Sequence, residues 1–159
     1  MKPNLIQFQP IDLARHMDIC AQFREDSFRI SFPENDEWRK RWNYAEYRSW
    51  LEKHVERFPE GALHLWCGEE IIGQLEFAYT DEWAHVNLFY LRPDKRGLGY
   101  GALLQRHVAD FICLRGYSSA TLRVTPSNER AIRFYLKHGW KDTGPDEQYP
   151  EVHLFRIDF

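Results

Sequence analysis

Hydrophobic and polar positions alternate along Asn4–Gln9, which predicts a first strand stopped by Pro10. From Asp12, a candidate N-cap, the period lengthens. Leu13, Met17 (or His16), Cys20 and Phe23 repeat at helical spacing to about Glu25. Asp26–Glu37, with Pro33, Asn35 and Asp36, reads as a loop. Trp38, Trp42, Tyr47, Trp50, Leu51, Val55 and Phe58 then predict a second helix, from about Asp36 to Arg57, with one buried face. Pro59 and Gly61 close it.

The period returns to two over Ala62–Cys67, Ile71–Tyr79 and Trp83–Leu91. Short polar turns at Gly68–Glu70 and Thr80–Glu82 make these an antiparallel meander. Pro93 stops the third strand, and a glycine-rich loop, Arg96–Gly101, opens a helix that runs to about Leu114 before Gly116. Ala120–Val124 is the next strand, parallel to the third because strand–helix–strand units cross over right-handedly. Asn128–His138 reads as a helix stopped by Gly139, and Trp140–Thr143 and Glu151–Asp158 are the closing strands around the loop Gly144–Pro150. The order β-α-α-β-β-β-α-β-α-β-β predicts an α/β (α+β) fold: a mixed, mostly antiparallel sheet of about seven strands with helices on both faces.

Composition narrows the function classes. The 159 residues, 43% hydrophobic and 28% charged, suit one globular domain over 1–159. No apolar run is long enough for a bilayer, and the opening MKPNLIQFQPID lacks the apolar region of a secretory leader. Three dispersed cysteines (Cys20, Cys67 and Cys113) read as reduced thiols, hence a cytoplasmic protein. Seven histidines are scattered without ligand spacing, which argues against a metal role. A net charge of −3 argues against a sequence-independent nucleic-acid binder. The run Trp38-Arg39-Lys40-Arg41-Trp42 interleaves bases with aromatics, but at helical spacing the tryptophans share a core face and the basic residues point outward.

The chemistry concentrates in Arg96-Gly97-Leu98-Gly99-Tyr100-Gly101. Glycines permit positive φ and close approach of an anion, and the helix N-terminus behind them offers unsatisfied N–H groups. Arg96 can add a charge-assisted contact, so the stretch reads as a pyrophosphate cradle. It is neither a Walker A loop, because Ala102-Leu103 stand where Lys-Ser/Thr is needed, nor a dinucleotide fingerprint, because its spacing is G-x-G-x-G.

In this loop (Arg96, Gly99, Gly101) and in a second motif of Asn128, Ala131, Phe134-Tyr135 and Gly139-Trp140, the chain resembles the GNAT superfamily of acyl-CoA-dependent N-acetyltransferases. Trp140 replaces the usual Phe, an aromatic-preserving departure. The motifs span about residues 62–145, and the order of elements matches over nearly the whole chain. The resemblance implies acetyl-CoA as cosubstrate, lying between two splayed parallel strands. Its pantetheine arm would follow the backbone of Phe89 and Leu91, its pyrophosphate would meet the N–H groups of Arg96 through Gly101, and Asn128 would bond the arm.

Acetyl transfer needs a neutral amine, a stabilised oxyanion and a protonated leaving thiolate. Tyr135 stands where the family places its general acid, and a phenol of pKa near 10 can protonate a thiolate whose acid lies near 8.5. The backbone N–H of Leu91 or Tyr90 is the expected oxyanion donor. For the base, His85 lies on the pre-loop strand where some family members carry a Glu, and Glu76 on the neighbouring strand is the second candidate; water is the third. Strand parity would place His85, Asn87, Phe89 and Leu91 on one face, with Val86, Leu88 and Tyr90 on the other.

The acceptor loops of the family correspond to Asp26–Glu37 and Gly144–Glu151, both acid-rich, which points to a cationic small-molecule amine or peptide. Two rival readings keep the same fold: a non-catalytic acyl-CoA sensor and a protein N-terminal acetyltransferase. Exposed aromatics on the second helix or last strand would suit a homodimer.

Overall fold

The computed structural model describes residues 5–159. Asn4, at the head of the expected first strand, lies outside them, as does the start of the stretch read for a leader. The strands are β1 (Ile6–Pro10), β2 (Ala62–Cys67), β3 (Glu70–Tyr79), β4 (Ala84–Leu91), β5 (Ser119–Val124), β6 (Lys141–Pro145) and β7 (His153–Asp158). They form one seven-stranded sheet in the order β1-β2-β3-β4-β5-β7-β6. Only β4 and β5 pair in parallel; every other neighbouring pair is antiparallel.

Five helices flank the sheet: α1 (Leu13–Ser31), α2 (Trp38–Arg41), α3 (Tyr44–Arg57), α4 (Tyr100–Leu114) and α5 (Glu129–Lys137). One face carries α4 and α5. Leu104, Val108 and Ile112 of α4 and Tyr135 of α5 pack with Leu75, Val86, Leu122 and Phe155 in the main core. The opposite face carries α1 and α3, whose Cys20, Tyr47 and Leu51 close on Ile11 and Ala62, while Phe23 meets Leu88 and Tyr90.

Two helix boundaries and the facing of one tryptophan depart from the sequence reading. Helix α1 continues to Ser31 instead of ending near Glu25, because Phe23, Ser27 and Phe28 still face protein and no breaker intervenes before Pro33. The single helix expected over 36–57 is two, because Asn43 takes an extended conformation and its side chain accepts from the Glu46 N–H, starting α3 afresh. Trp50 is 38% exposed and stacks on His54 instead of joining the buried face. Trp38 is buried, and the basic residues beside it pair with Asp36 and Glu37, as solvated surface charges do.

Candidate active site

Strand β4 leaves its neighbour early. His85 faces Thr121 and Val86 faces Leu122, and no pair follows. The cause is a bulge. Against β3, Leu88 pairs with Glu76 and Val86 with Phe77, so Asn87 is the extra residue. The bulge also reverses the facing of the strand, which corrects the parity expected from the sequence. Val86 joins the α4 core, yet Leu88 and Tyr90 lie against Phe23 of α1, and Phe89 and Leu91 turn to the α4–α5 side. His85 and Phe89 therefore stand on opposite faces.

The register assigns the amides. Arg92 N–H donates to the Ile72 carbonyl at 2.8 Å. In an antiparallel ladder such pairs alternate, so Tyr90 and Leu88 also turn their amides to β3, while those of Phe89 and Leu91 point into the gap. Tyr90 N–H is thus spent within the sheet, and Leu91 N–H is the one that faces the gap.

A cavity of about 620 Å³ fills the gap and is lined from both faces of the sheet. Phe89, Tyr90, Leu91, Arg96, Gly97, Gly99, Gly101, Asn128 and Tyr135 all line it, as does His85. Leu98 and Tyr100 do not: the Leu98 side chain is 65% exposed and Tyr100 packs on the main core, so these two offer only their backbone. Gly97 and Gly99 take φ of +75° and +94°, conformations costly for any residue with a Cβ. Behind them α4 begins without a side-chain cap, leaving its first N–H groups for an anion. Gly101 serves packing instead: a Cβ there would come within 2.8 Å of the Phe134 ring.

Arg96 does not reach toward the loop. Its Nε donates to the Leu91 carbonyl at 2.9 Å and its Nη2 to Asp26 Oδ2 at 3.1 Å, where Tyr90 OH also donates. It braces the end of β4 against α1. The cation beside the loop is Arg130, next to Gly97 in the first turn of α5. An arginine two positions after the Asn128 cap is the sequence signal for it.

Asn128 caps α5, its side-chain oxygen accepting from Ala131 N–H at 3.3 Å. Tyr135 is 9% exposed, and its ring lies 5.8 Å from that of Phe89. Burial alone pushes the phenol pKa well above its ordinary value, so the hydroxyl keeps its proton. Thr125 Oγ1 and Asn87 Oδ1 belong to residues on the cavity wall and have no protein hydrogen-bond partner, which suits a polar occupant. Nothing in the sequence pattern marks either.

His85 is held by Thr121, at 2.7 Å from Nδ1, and Arg123, whose Nη1 lies 3.4 Å from Nε2. A guanidinium only donates, so Nε2 is the acceptor and Nδ1 carries the hydrogen. Burial, then the Arg123 charge, push the ring down to about 4. Glu76 is elsewhere. It is wholly buried under α1 and α3 and accepts from Tyr47 OH at 2.5 Å and Gln74 Nε2 at 2.7 Å, off the cavity wall. This placement removes it as a base.

His64, in the same buried layer, is also pushed down to about 4 by burial. Unfolded, an imidazole takes its proton near pH 6.5; folded, these two do so only near 4. Stability is therefore fully present above about pH 6.5 and falls as pH drops through that window. His64 contributes a loss of about 2 kcal/mol by about pH 5. Urea unfolding between neutral pH and pH 5 should show the decline, and a flat profile would contradict the neutral, buried ring.

The acetyltransferase (GNAT) family profile matches residues 21–140. The chain belongs to the GNAT acetyltransferase family. It is 33% identical over 119 residues to the peptidyl-lysine N-acetyltransferase YjaB of Escherichia coli, covering 69% of this chain and 75% of that one. The PaiA N-acetyltransferase of Thermoplasma acidophilum, solved with coenzyme A, superposes with a TM-score of 0.83 at 17% identity, over 98% of this chain and 99% of that chain. The ribosomal-protein-S18-alanine N-acetyltransferase of Escherichia coli gives 0.68 at 17% identity, over 97% and 94%. The protein is thus an acyltransferase of the GNAT type, and the gap between β4 and β5 is where the fold opens. Among the described residues no helix is long and apolar enough to cross a membrane.

Proposed function

We propose that the protein moves an acetyl group from acetyl-CoA to a primary amine by direct attack of that amine. The observation that carries this reading is the gap itself, with unpaired amides of Phe89 and Leu91 on one side and Tyr135 on the wall of the same cavity. The coenzyme fits the residues present. Phe89 and Leu91 offer strand-like backbone, the loop 96–101 and Arg130 offer donors to its phosphates, and Asn128 keeps its amide N–H groups for the pantetheine arm.

Bound there, the coenzyme supplies an activated thioester carbonyl. Leu91 N–H donates to the oxygen on which negative charge develops. The amine nitrogen forms the new C–N bond as the C–S bond breaks, and Tyr135 passes its proton to the sulfur. Burial lifts the phenol pKa, so Tyr135 enters the step with its proton in place. His85 Nε2 relays to water the proton the amine gives up, since burial and the Arg123 charge hold the ring down to about 4 and keep it from retaining a proton at neutral pH.

The name of the relative YjaB supports testing a peptide lysine as acceptor, beside a peptide N-terminus and small amines. A thiol-release assay over these classes, run with calorimetry of coenzyme binding, tests the reading. Turnover of one amine class supports it. Coenzyme binding without turnover of any class favours the sensor reading, and absence of coenzyme binding rejects both.

Replacing Gly99 by alanine tests the cradle. At φ +94° a Cβ strains the backbone by about 1–2 kcal/mol, so the loop relaxes and its N–H groups turn away. Coenzyme affinity should fall about tenfold, read by calorimetry, with the far-UV spectrum unchanged. An unchanged affinity would place the phosphates elsewhere.

A further inference from the structure

Beyond Val86 and Leu122, Asn87 and Arg123 are the first facing residues that the parting strands leave unpaired. A guanidinium stands at each. Arg24 Nη1 donates to the Asn87 carbonyl at 3.0 Å, and Arg123 leans on His85 Nε2 at 3.4 Å. Both line the cavity on the α1 face, away from Arg130 at the phosphate loop.

The acids that balance these cations sit behind them. Glu76 lies 4.0 Å from Arg24 and is wholly buried, and Asp146 Oδ2 accepts from Arg123 Nε at 3.0 Å. Neither lines the cavity, and among the described residues no Asp or Glu does. Of the acids in the two loops that pointed to a cationic acceptor, all but Glu34 and Glu147 are held by protein partners, and neither of those two lines the cavity. Asp26 holds Tyr90 and Arg96, Glu37 and Glu151 hold Arg41, and Asp146 also takes the N–H groups of Gln148 and Tyr149.

An ammonium entering beside His85 therefore meets a guanidinium and no carboxylate. We infer that the acceptor is an amine bearing its own carboxylate, seated on Arg123 with Arg24 alongside, so that the amine faces His85. The inference rests on the acetyl-transfer reading above and names its substrate class. The planar fork of Arg123 still has N–H groups for a carboxylate while its Nε holds Asp146. A carboxylate that draws Nη1 away also frees His85 Nε2 to accept the proton.

The carboxylate can belong to a free amino acid or to an acidic residue beside a peptide lysine. The test measures kcat/KM by thiol release for α- and ω-amino acids, each beside its carboxamide and a diamine of matching length. A lysine tripeptide flanked by glutamates, against one flanked by glutamines, forms the second arm. The acid is expected to exceed its amide by about tenfold or more in one arm, which names the source. Arg123→Gln should bring that ratio near one with coenzyme binding retained, and Arg123→Lys should keep part of it. Equal rates for acid and amide, a preference for the diamine, or turnover of no carboxylate-bearing amine by coenzyme-competent protein overturns the inference. Failure of the parent protein to bind coenzyme overturns the reading beneath it.

Discussion

Tyr135→Phe should lower kcat by about two to four orders of magnitude, the range typical of a positioned general acid. Coenzyme affinity should hold. The phenol pKa is shifted by burial alone, with no hydrogen bond contributing, so deleting the hydroxyl breaks no protein contact. The ring keeps its neighbours, Phe89, Trp140 and Phe155, at centroid distances of 5.8, 6.1 and 6.2 Å. Removing a hydroxyl that has no protein partner should leave stability unchanged to within about 1 kcal/mol. The expected signature is thus specific: turnover lost, calorimetric affinity and melting temperature retained.

That split separates the readings that share this fold. A sensor would show no change in ligand binding and have no turnover to lose. An enzyme that releases its thiolate to solvent would keep kcat within a few-fold, and such a result would remove Tyr135 from the mechanism. A simultaneous loss of affinity and of melting temperature would instead make the residue part of the core, where its contacts with Trp140 and Phe155 already place its ring.

What was legible in the sequence followed from periodicity and from glycine. The meander and the parallel pair came from alternation and crossover handedness, and the cradle from glycines whose φ is positive at 97 and 99, whereas the seating of β7 between β5 and β6 has no mark in the pattern. The facing of β4 was not legible, because one extra residue at Asn87 reverses every side chain after it and no glycine marks this bulge. The same limit misplaced His85 relative to Phe89. Arg96 and the loop acids misled for another reason. Charge is visible in a sequence, whereas the partner that consumes it is distant in the chain: Asp26 lies 70 residues from Arg96, and Glu151 lies 110 from Arg41. Glu76 looked like a candidate base because a carboxylate near the reacting strand is chemically apt; its burial depends on two helices that pack over it.

Glu76→Ala should destabilise the fold by about 3–5 kcal/mol, the cost of leaving a buried charge and its donors without a partner. Tyr47 OH and Gln74 Nε2 would lose their acceptor, and Arg24, 4.0 Å from Oε1, its counter-charge. Cys20, Tyr47 and His64 of the same layer are neutral and offer no substitute charge. Burial pushes Cys20 up to about 12 and Tyr47 higher still, and holds His64 down to about 4. The loss should reach the gap, since Arg24 is the group that holds the Asn87 carbonyl at the bulge. Coenzyme affinity is therefore expected to weaken along with the urea midpoint. Glu76→Gln keeps the volume and one acceptor oxygen, so it should cost about 2 kcal/mol and leave turnover within a few-fold. The pair of variants decides between support and catalysis. If Glu76→Gln folded normally, bound coenzyme and lost turnover, the carboxylate would be the base after all, reached by a path through α1 that the packing closes.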